Sequence, residues 1–244
     1  MKRLGHALCV FSVLTLVVGI AVDSSAIKKV YSPIVEYREF ELEARGGVDI
    51  DEGQANGIPK QKYAVGYGLF PRLFVEVYGI IEEAANTHEF EAVELELRYQ
   101  VFDQGEYWID VGLYGAYEYK IEDGHADEVE AKLLLQKSLG RTVNITNLIL
   151  ERELGAAASN DVELEFAWSS RYRWRRSIEP GFELHSGLGT IGRWAPYDQQ
   201  KHLVGPVVYG KVGNIKYDVG YLIGISEAAP EGLMKWNLEF EIHF

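Results

Sequence analysis

The sequence has one cysteine in 244 residues, Cys9, and it lies in an apolar run near the N-terminus. If residues 1–26 are removed, the remaining chain has no cysteine. Disulfides, thiolate nucleophiles and cysteine metal sites are then excluded. We also find no phosphate-binding glycine loop, no haem-attachment motif and no metal-binding histidine cluster, so the sequence predicts neither a cofactor nor a metal centre.

Long apolar runs are missing beyond residue 22. The run Ala7–Val22 follows Lys2 and Arg3 and precedes the small residues Ser24–Ala26. It is shorter than the ~20 residues that a membrane-spanning helix needs. The pattern predicts a signal peptide over residues 1–26 and a single domain over residues 27–244.

Basic residues are also fewer than acidic residues. Lys and Arg number 24 against 37 Asp and Glu, a formal charge of −13. Nucleic acid is bound largely through Lys and Arg, so such a partner is not expected. The 15 Tyr and 25 Gly against 7 Pro suit an all-β chain with aromatic girdles.

Strict alternation of apolar and polar residues is the main positive signal. In the last nine residues, Trp236–Phe244, every second side chain is apolar and the others are Asn, Glu, Glu and His. Side chains alternate across a strand, so this is a strand with one apolar and one polar face. An edge strand of a soluble sandwich is the alternative interpretation.

Twelve segments qualify as strands. They are 34–44, 62–70, 73–81, 93–101, 107–120, 129–138, 142–150, 162–173, 178–185, 203–212, 215–223 and 236–244. Their lengths match the ~9–11 residues that cross a bilayer at a tilt better than the ~5–6 of soluble sheets. The register of the seventh segment is unclear.

The connections between these segments alternate between long and short. The predicted long ones are 45–61, 82–89, 121–128, 151–161, 188–201 and 226–233, and the predicted short ones are 71–72, 103–106, 139–141, 175–176 and 213–214. Transmembrane barrels have long outer loops and short periplasmic turns, and they must close because no free edge survives in lipid. The sequence therefore predicts a closed antiparallel transmembrane β-barrel of twelve strands.

The chain resembles bacterial outer-membrane β-barrels as a class, through the signal peptide, the alternation, the loop rhythm and the terminal Phe244. The resemblance implies residence in a Gram-negative outer membrane. It also implies that Phe244 is an assembly signal read by the barrel assembly machinery. It resembles no porin closely enough for a substrate to be carried over.

Charged residues dominate the predicted inner face. Since Arg or Lys on the lipid face costs roughly 2–4 kcal/mol at the midplane, these charges are expected to line the lumen. The lumen-lining set is Glu94, Glu96, Arg98, Asp110, Glu118, Lys120, Glu163, Glu165, Arg171, Arg173, Glu183, His185, Lys216, Asp218, Glu239 and Glu241. Either these side chains pair across a water-filled channel, or they form a dry ion-pair core through which nothing passes.

The long loops differ in charge. Most are acidic, which would concentrate cations and bind divalent ions shared with lipopolysaccharide phosphates; a merely solvated loop face is the alternative. The loop 188–200 is basic, with Arg193 beside Trp194 and Tyr197. These three are candidates for a constriction or for contact with an anionic or sugar ligand, and a packed cap over the barrel mouth is the alternative.

Catalysis is not the favoured interpretation. His185 and Ser186 are adjacent, so they face opposite sides of a strand, and the chain beyond residue 26 has no His-x-Ser pair. Repeated Glu-x-Glu pairs are better explained as lumen lining than as glycosidase carboxylates. The sequence therefore favours a narrow porin-like channel for small hydrophilic solutes. The alternatives are a non-conducting structural or partner-docking barrel, and an outer-membrane lipid-modifying hydrolase.

Overall fold

The computed structural model describes residues 27–51, 57, 59–84, 87–122, 124–156, 158–159 and 161–244, without the side chains of 82–84 and 87–89. The predicted signal peptide, with Cys9, lies outside the described residues. The side chains of residues 82–89, the predicted second long loop, also lie outside the described residues.

Alternating sequence segments form long strands throughout the described chain. The strands are β1 (Glu39–Ile50), β2 (Pro59–Phe70), β3 (Leu73–Ala84), β4 (Thr87–Gln100), β5 (Asp110–Lys120), β6 (Asp127–Leu139), β7 (Thr142–Leu154), β8 (Glu163–Tyr172), β9 (Glu179–Thr190), β10 (Arg193–Trp194), β11 (Lys201–Val212), β12 (Ile215–Gly224) and β13 (Gly232–His243). A short 3₁₀ helix, η1, covers Tyr197–Gln199. None of the helices in the described part of the chain is long and apolar enough to cross a membrane.

The sheet closes on itself. Each long strand pairs antiparallel with its neighbours along the chain, and β13 returns to β1 over a register running from Glu39 opposite His243 to Ile50 opposite Gly232. The two-residue strand β10 pairs with β9 only at the end of that strand. The all-β fold class and the closed antiparallel barrel of twelve strands are confirmed.

The outer face of the barrel is mainly apolar, and the inner face carries most of the ionisable groups together with buried apolar clusters such as Leu203, Val207, Leu222 and Leu233. On β4, for example, Val93, Leu95 and Leu97 are exposed whereas Glu94 and Glu96 are buried. The buried polar residues of the inner wall are Glu39, Glu41, Glu43, Arg45, Lys60, Glu76, Glu94, Glu96, Gln100, Glu118, Lys132, Gln136, Asn147, Ser169, Glu183, His185, Lys235, Asn237, Glu239 and Glu241. Strand periodicity therefore separates two environments, with the ionisable groups enclosed.

The first predicted strand, 34–44, is wrong at its start. β1 begins at Glu39 and continues to Ile50. Residues 31–35 are buried or half-buried inside the barrel, whereas Glu36, Tyr37 and Arg38 are exposed. The chain turns at Arg38, which has a left-handed φ of 62°. The alternation that predicts this strand, Glu39 to Ala44, lies within β1, whereas polar groups of Tyr31, Ser32 and Val35 bond to the lumen wall.

Two connections depart from the predicted rhythm. The second long loop is replaced by extended strands, because β3 reaches Ala84 and β4 starts at Thr87. The connection between β4 and β5, predicted as short, covers residues 101–109. We call the end with connections 51–58, 121–126, 155–162, 191–200 and 225–231 the upper end, and the opposite end the lower end.

The lower connections are tied together by arginine. Arg72 Nη2 donates a hydrogen bond to Asp103 Oδ1 at 3.0 Å, which links the β2–β3 turn to the β4–β5 connection. That hydrogen bond raises the pKa of the Arg72 guanidinium. Arg141 donates to the carbonyl oxygens of Arg173 and Trp174, linking the next two turns in the same way.

Candidate functional site in the barrel lumen

The lumen holds a segment of the same chain. Residues 27–37, the N-terminal segment, run through the barrel before β1 begins, and Tyr31 and Val35 are only 3% and 7% exposed. Polar groups of the segment contact opposite sides of the wall. The barrel is therefore filled by its own chain.

Asn147 of β7 holds the middle of the N-terminal segment. The Tyr31 N–H donates to Asn147 Oδ1 at 2.8 Å, and Asn147 Nδ2 donates back to the Tyr31 carbonyl at 2.9 Å. Asn147 is fully buried. A buried extended segment has no strand partner for its backbone, so this side chain supplies both hydrogen bonds.

Two glutamines hold the next residues. The Val35 N–H donates to Gln100 Oε1 at 2.8 Å, and Ser32 Oγ donates to Gln136 Oε1 at 3.0 Å. Gln100 is on β4 and Gln136 is on β6, so the segment is fixed from two further strands. The Gln100 amide thus satisfies a backbone N–H and the Gln136 amide satisfies a side-chain hydroxyl, and neither adds charge.

Gly112 of β5 lets the segment pass close to the wall. A Cβ atom at this position would lie 2.8 Å from Cβ of Pro33 and 2.9 Å from its Cα. Real Cβ atoms do not approach so closely, so any larger residue at 112 must displace Pro33. The wall is therefore shaped for this occupant.

The side chain of Tyr31 lies at the centre of a charged network. Its hydroxyl donates to Glu96 Oε1 at 2.8 Å and accepts from Arg45 Nη1 at 2.8 Å. Its ring lies 4.8 Å from that of Tyr114, and Lys132 Nζ lies 4.3 Å from both ring centroids. Cations over aromatic faces are stabilised by the ring quadrupole, so Tyr31 links three charges and one aromatic ring of the wall.

Two lysines of the segment bind wall carboxylates. Lys29 forms an ion pair with Glu43 and a second with Glu239, whose Oε1 lies 3.0 Å from Nζ. Lys28 Nζ lies 3.4 Å from Glu165 Oε2. Since the wall is rich in acids, these lysines supply positive charge that its own strands lack.

A small cavity remains between the N-terminal segment and the wall. A cavity of about 60 Å³ lies between the segment and the wall, enough for about two waters at the ~30 Å³ each occupies in the liquid. Six carboxylates face it, namely Glu94, Glu118, Glu128, Glu130, Glu151 and Glu165. The N-terminal segment and the wall therefore pack closely together at this level.

The sequence-predicted lumen residues occupy different depths. Glu94, Glu96, Glu118, Glu183, His185, Glu239 and Glu241 are buried, and Arg98, Asp110, Lys120, Glu165, Arg171, Lys216 and Asp218 are half-buried. Glu163 is exposed at the upper end of β8, and Arg173 is exposed beyond the lower end of that strand. Their role in filtering solutes stays a prediction.

The wall pairs its charges closely. Lys235 Nζ lies 2.8 Å from Glu183 Oε2 and 3.2 Å from Asp218 Oδ1, while His185 Nε2 lies 2.9 Å from the same Glu183 oxygen. Sequence reasoning missed Lys235, because the alternation around it was assigned only from Trp236 onward. Extending the terminal strand by two residues would have placed Lys235 on the inner face.

The three constriction candidates lie on the upper connection between β9 and β11, and their role as a constriction or ligand contact stays a prediction. Arg193, Trp194 and Tyr197 are exposed. Arg193 Nη2 lies 3.2 Å from Asp161 Oδ2, and the Tyr197 hydroxyl donates to the Ile225 carbonyl at 2.7 Å. These two contacts are with neighbouring upper loops, and the Tyr197 ring also stacks on His202 of β11.

Phe244 follows β13 and is 77% exposed, and its N–H donates to the Arg38 carbonyl at 3.3 Å. This contact joins the residue to the corner where the N-terminal segment leaves the lumen. The role of Phe244 as an assembly signal stays a prediction.

A second constellation lies on the outer wall. Antiparallel pairing of β9 and β11 sets Ser186 opposite His202, and Ser186 Oγ lies 2.9 Å from His202 Nδ1. Gln200 Oε1 lies 2.8 Å from His202 Nε2, and Gln200 Nε2 donates to the Ala195 carbonyl at 2.7 Å. Because this donation turns the amide oxygen toward His202, the arrangement favours a proton on Nε2 and a lone pair on Nδ1 facing the serine.

Comparisons with known proteins give a fold likeness only. No protein-family profile matches the chain, and no curated protein matches it. Among solved structures the chain is similar to one described as a bacterial polysaccharide outer membrane secretin. The two share 12% identity at a TM-score of 0.40, over 85% of this chain and 100% of that one. A likeness at this level carries no argument about function.

Proposed function

We propose that this chain is an outer-membrane β-barrel forming a narrow channel for small hydrophilic solutes or ions, closed in the described conformation by the N-terminal segment. The observation that carries this proposal is the segment itself. Hydrogen bonds and ion pairs hold it in the lumen, and it is not paired as a strand of the wall.

The outer wall supports a membrane location. Leu95, Leu97, Val65, Val77 and Leu238 are each more than two-fifths exposed on the outside of the barrel. A contiguous apolar exterior is unfavourable in water and is the surface that lipid requires. The charged inner wall is then shielded from hydrocarbon by the barrel.

The nature of the contacts supports a removable plug. Each hydrogen bond from Asn147, Gln100 and Gln136 exchanges for one to water when the segment leaves, so its net contribution is only about 0.5–1.5 kcal/mol. The β1–β13 and β1–β2 pairings do not include residues 27–37. Removing the segment therefore leaves the ring of strands intact.

The charge of the vacated lumen supports cation preference. The cavity beside the segment is faced by six carboxylates, and departure of the segment also removes Lys28 and Lys29. A channel lined by excess acids raises the local concentration of cations.

Planar-bilayer conductance tests this proposal. We expect the chain expressed from Ile27 to be closed most of the time, and a variant without residues 27–36 to conduct in discrete steps with a cation-selective reversal potential. In a second variant, Ser32→Cys with Gln136→Cys, a short bis-methanethiosulfonate reagent, which forms a disulfide with each cysteine and releases sulfinate, should lock the barrel closed. Reduction of the two disulfides should release it. Each single-cysteine variant is the control.

The outcomes separate the channel from the alternative of a structural or partner-docking barrel. Resistance to unfolding in detergent must first show that each variant is a folded barrel. If the variant without residues 27–36 is folded and silent, the channel proposal is refuted and the docking barrel is favoured.

A second candidate function is acyl-ester hydrolysis at Ser186. The observation that favours it is the hydrogen-bonded chain from Ser186 through His202 to Gln200, which has the order nucleophile, base and orienting group. In such a reaction Ser186 Oγ attacks the ester carbonyl carbon while its proton moves to His202 Nδ1. The C–O bond to the alcohol then breaks, and the alcohol takes that proton from His202. Water next attacks the acyl-serine, gives a proton to His202 Nδ1 and releases the carboxylic acid, and Ser186 Oγ recovers the proton. The Tyr197 ring stacks on His202 at 5.3 Å and helps fix the imidazole plane.

A fluorophosphonate probe tests this candidate, since it labels serines activated by a base. Labelling that is lost in both Ser186→Ala and His202→Ala, and retained in the neighbouring His185→Ala, would support hydrolysis. Ser186 is only 7% exposed. If the folded barrel is not labelled, the hydrogen bonds from Ser186 to His202 and Gln200 have a structural role and the hydrolase candidate is refuted.

A further inference from the structure

Basic residues collect on one side of the lower end. Residues 131–150 contain three basic residues and no acidic one, and residues 166–178 contain four basic residues and no acidic one, although the formal charge of the chain is −13. These two stretches form most of β6, β7 and β8 together with the lower turns beside them. Because β7 pairs with both β6 and β8, the stretches lie side by side and form a positively charged sector of the barrel.

A row of polar side chains crosses the outer face of this sector. Lys137 of β6 is directly opposite Asn144 of β7, and Asn144 is directly opposite Ser170 of β8. Val143 and Ile145, which flank Asn144, are buried on the inner face, so side-chain alternation directs Asn144 and its cross-strand partners outward. Opposite side chains have Cβ atoms about 4.5–5.5 Å apart, so the three polar groups can contact one ligand.

Apolar and aromatic residues border the row on both sides. Leu139 and Tyr172 flank it toward the lower end and are 62% and 44% exposed, and Leu135 and Trp168 flank it toward the upper end. The row is therefore a polar interruption in a wall that otherwise suits hydrocarbon. Polar groups that face lipid are costly unless they find hydrogen-bond partners.

The donors of the row are available to a ligand. Within the described part of the chain, no hydrogen bond joins the side chain of Asn144 or Ser170 to another residue. Lys137 Nζ donates to the Trp108 carbonyl, which occupies one of its three hydrogens. All three side chains can donate and none is an acid, so the row suits a ligand that accepts hydrogen bonds and carries negative charge.

Arg141 adds a second cation just below the row. Its guanidinium lies over the outward-facing ring of Tyr172, 5.2 Å from the centroid, and donates to the carbonyl oxygens of Arg173 and Trp174. These contacts fix the guanidinium at the outer rim. Among the described residues, no acid forms an ion pair with Arg141 or Lys137, so their charges are not neutralised by the protein.

We propose that the outer face of this sector binds the phosphate group of an anionic phospholipid such as phosphatidylglycerol. The side chains that would hold it, the lower-wall patch, are Lys137, Arg141, Asn144 and Ser170. Phosphate oxygens accept hydrogen bonds from all four, and the two cations supply the charge attraction. The acyl chains then extend over the apolar wall above the patch.

The choice of phospholipid follows from the predicted topology. Short turns of transmembrane barrels face the periplasm, and the leaflet on that side of an outer membrane is made of phospholipid. This inference rests on the membrane location proposed above, and it is independent of whether the lumen conducts.

Quenching of tryptophan fluorescence by lipids that are brominated in the acyl chain tests the site. Trp168 is next to the lower-wall patch, whereas Trp236 is on the outer face of β13, where the flanking Lys235 and Asn237 are buried. Two proteins expressed from Ile27 each keep one of these tryptophans and have the other four replaced by phenylalanine. They are folded into phosphatidylcholine vesicles that contain a small fraction of brominated phosphatidylglycerol or, in parallel, of brominated phosphatidylcholine.

We expect the ratio of quenching by phosphatidylglycerol to quenching by phosphatidylcholine to be at least about twofold larger for Trp168 than for Trp236. Lys137→Gln with Arg141→Gln should bring the two ratios together. If that variant fails to fold, Lys137→Gln alone takes its place, because Arg141 also links two lower turns. The matched control is Arg72→Gln, which removes a cation from the β2–β3 turn and should leave both ratios unchanged.

Three outcomes would overturn the proposal. Equal ratios at Trp168 and Trp236 would show that phosphatidylglycerol is not enriched at the patch. An equal loss in Arg72→Gln would indicate diffuse attraction to the lower end. If neither tryptophan is quenched by either lipid, the membrane location is refuted together with this site, whereas a barrel that gives the expected ratios but stays silent in conductance recordings refutes only the channel.

Discussion

Replacing Asn147 with leucine is the sharpest test of how the lumen is closed. Leucine has the same number and branching of side-chain heavy atoms as asparagine but neither donates nor accepts a hydrogen bond. Asn147→Leu therefore removes both bonds to the Tyr31 backbone, of 2.8 and 2.9 Å, without opening a large cavity. Asn147 takes its position from the pairing of β7 with β6 and β8, and those pairs are unchanged.

The magnitude follows from the two backbone groups left unpaired. Each buried group that loses its partner costs about 1–3 kcal/mol, so the bound segment is destabilised by about 2–6 kcal/mol. We expect the lower end, because the cavity of about 60 Å³ beside the segment allows water to replace one of these bonds. At 1.4 kcal/mol per tenfold, a loss of about 2 kcal/mol raises the released fraction about thirtyfold.

Amide hydrogen exchange measures that fraction. The N–H groups of Tyr31 and Val35 should exchange about thirtyfold faster in Asn147→Leu, while those of β7 keep their protection. Thr146→Val is the matched control, because its side chain is on the outer face of the same strand. Unchanged exchange at Tyr31 and Val35 in a folded Asn147→Leu barrel would refute the argument that Asn147 holds the segment.

Three further predictions concern the wall and the loops. Gly112→Val should displace Pro33 and raise the open probability in conductance recordings, since a Cβ atom there would lie 2.8 Å from the proline; an unchanged open probability would contradict the close approach. Leu95→Arg places a charge on the outer wall and should destabilise the barrel by roughly 2–4 kcal/mol in denaturant titrations in lipid. The control Leu139→Arg, near a lower turn, should destabilise it far less. Equal effects of the two substitutions would argue against a lipid-facing wall. Arg193→Ala should leave conductance unchanged because its side chain is exposed on an upper loop, and a changed selectivity would restore it as a constriction residue.

Strand alternation was sufficient to predict the barrel. In β4 the residues Val93 to Gln100 carry a strict period of two, and the exposed and buried positions follow it. The same logic succeeds in β13, where Leu238 and Phe240 are exposed and the alternate residues Asn237, Glu239 and Glu241 are buried. It fails at β3 and β4 near residues 82–89, where strand and loop have similar polarity and only backbone pairing decides the end.

The sequence by itself therefore determined the fold class, the closure of the barrel and which face of most strands is apolar. These properties depend on local periodicity and on the lack of free sheet edges in a barrel. The tertiary structure decided what fills the lumen, since Tyr31 and Asn147 are 116 residues apart and no local pattern announces their two hydrogen bonds. It also decided which carboxylates lie close to one another. Glu41 looks like every other glutamate of an alternating strand, and only the pairing of β1 with β13 and β2 shows that it is buried among acids.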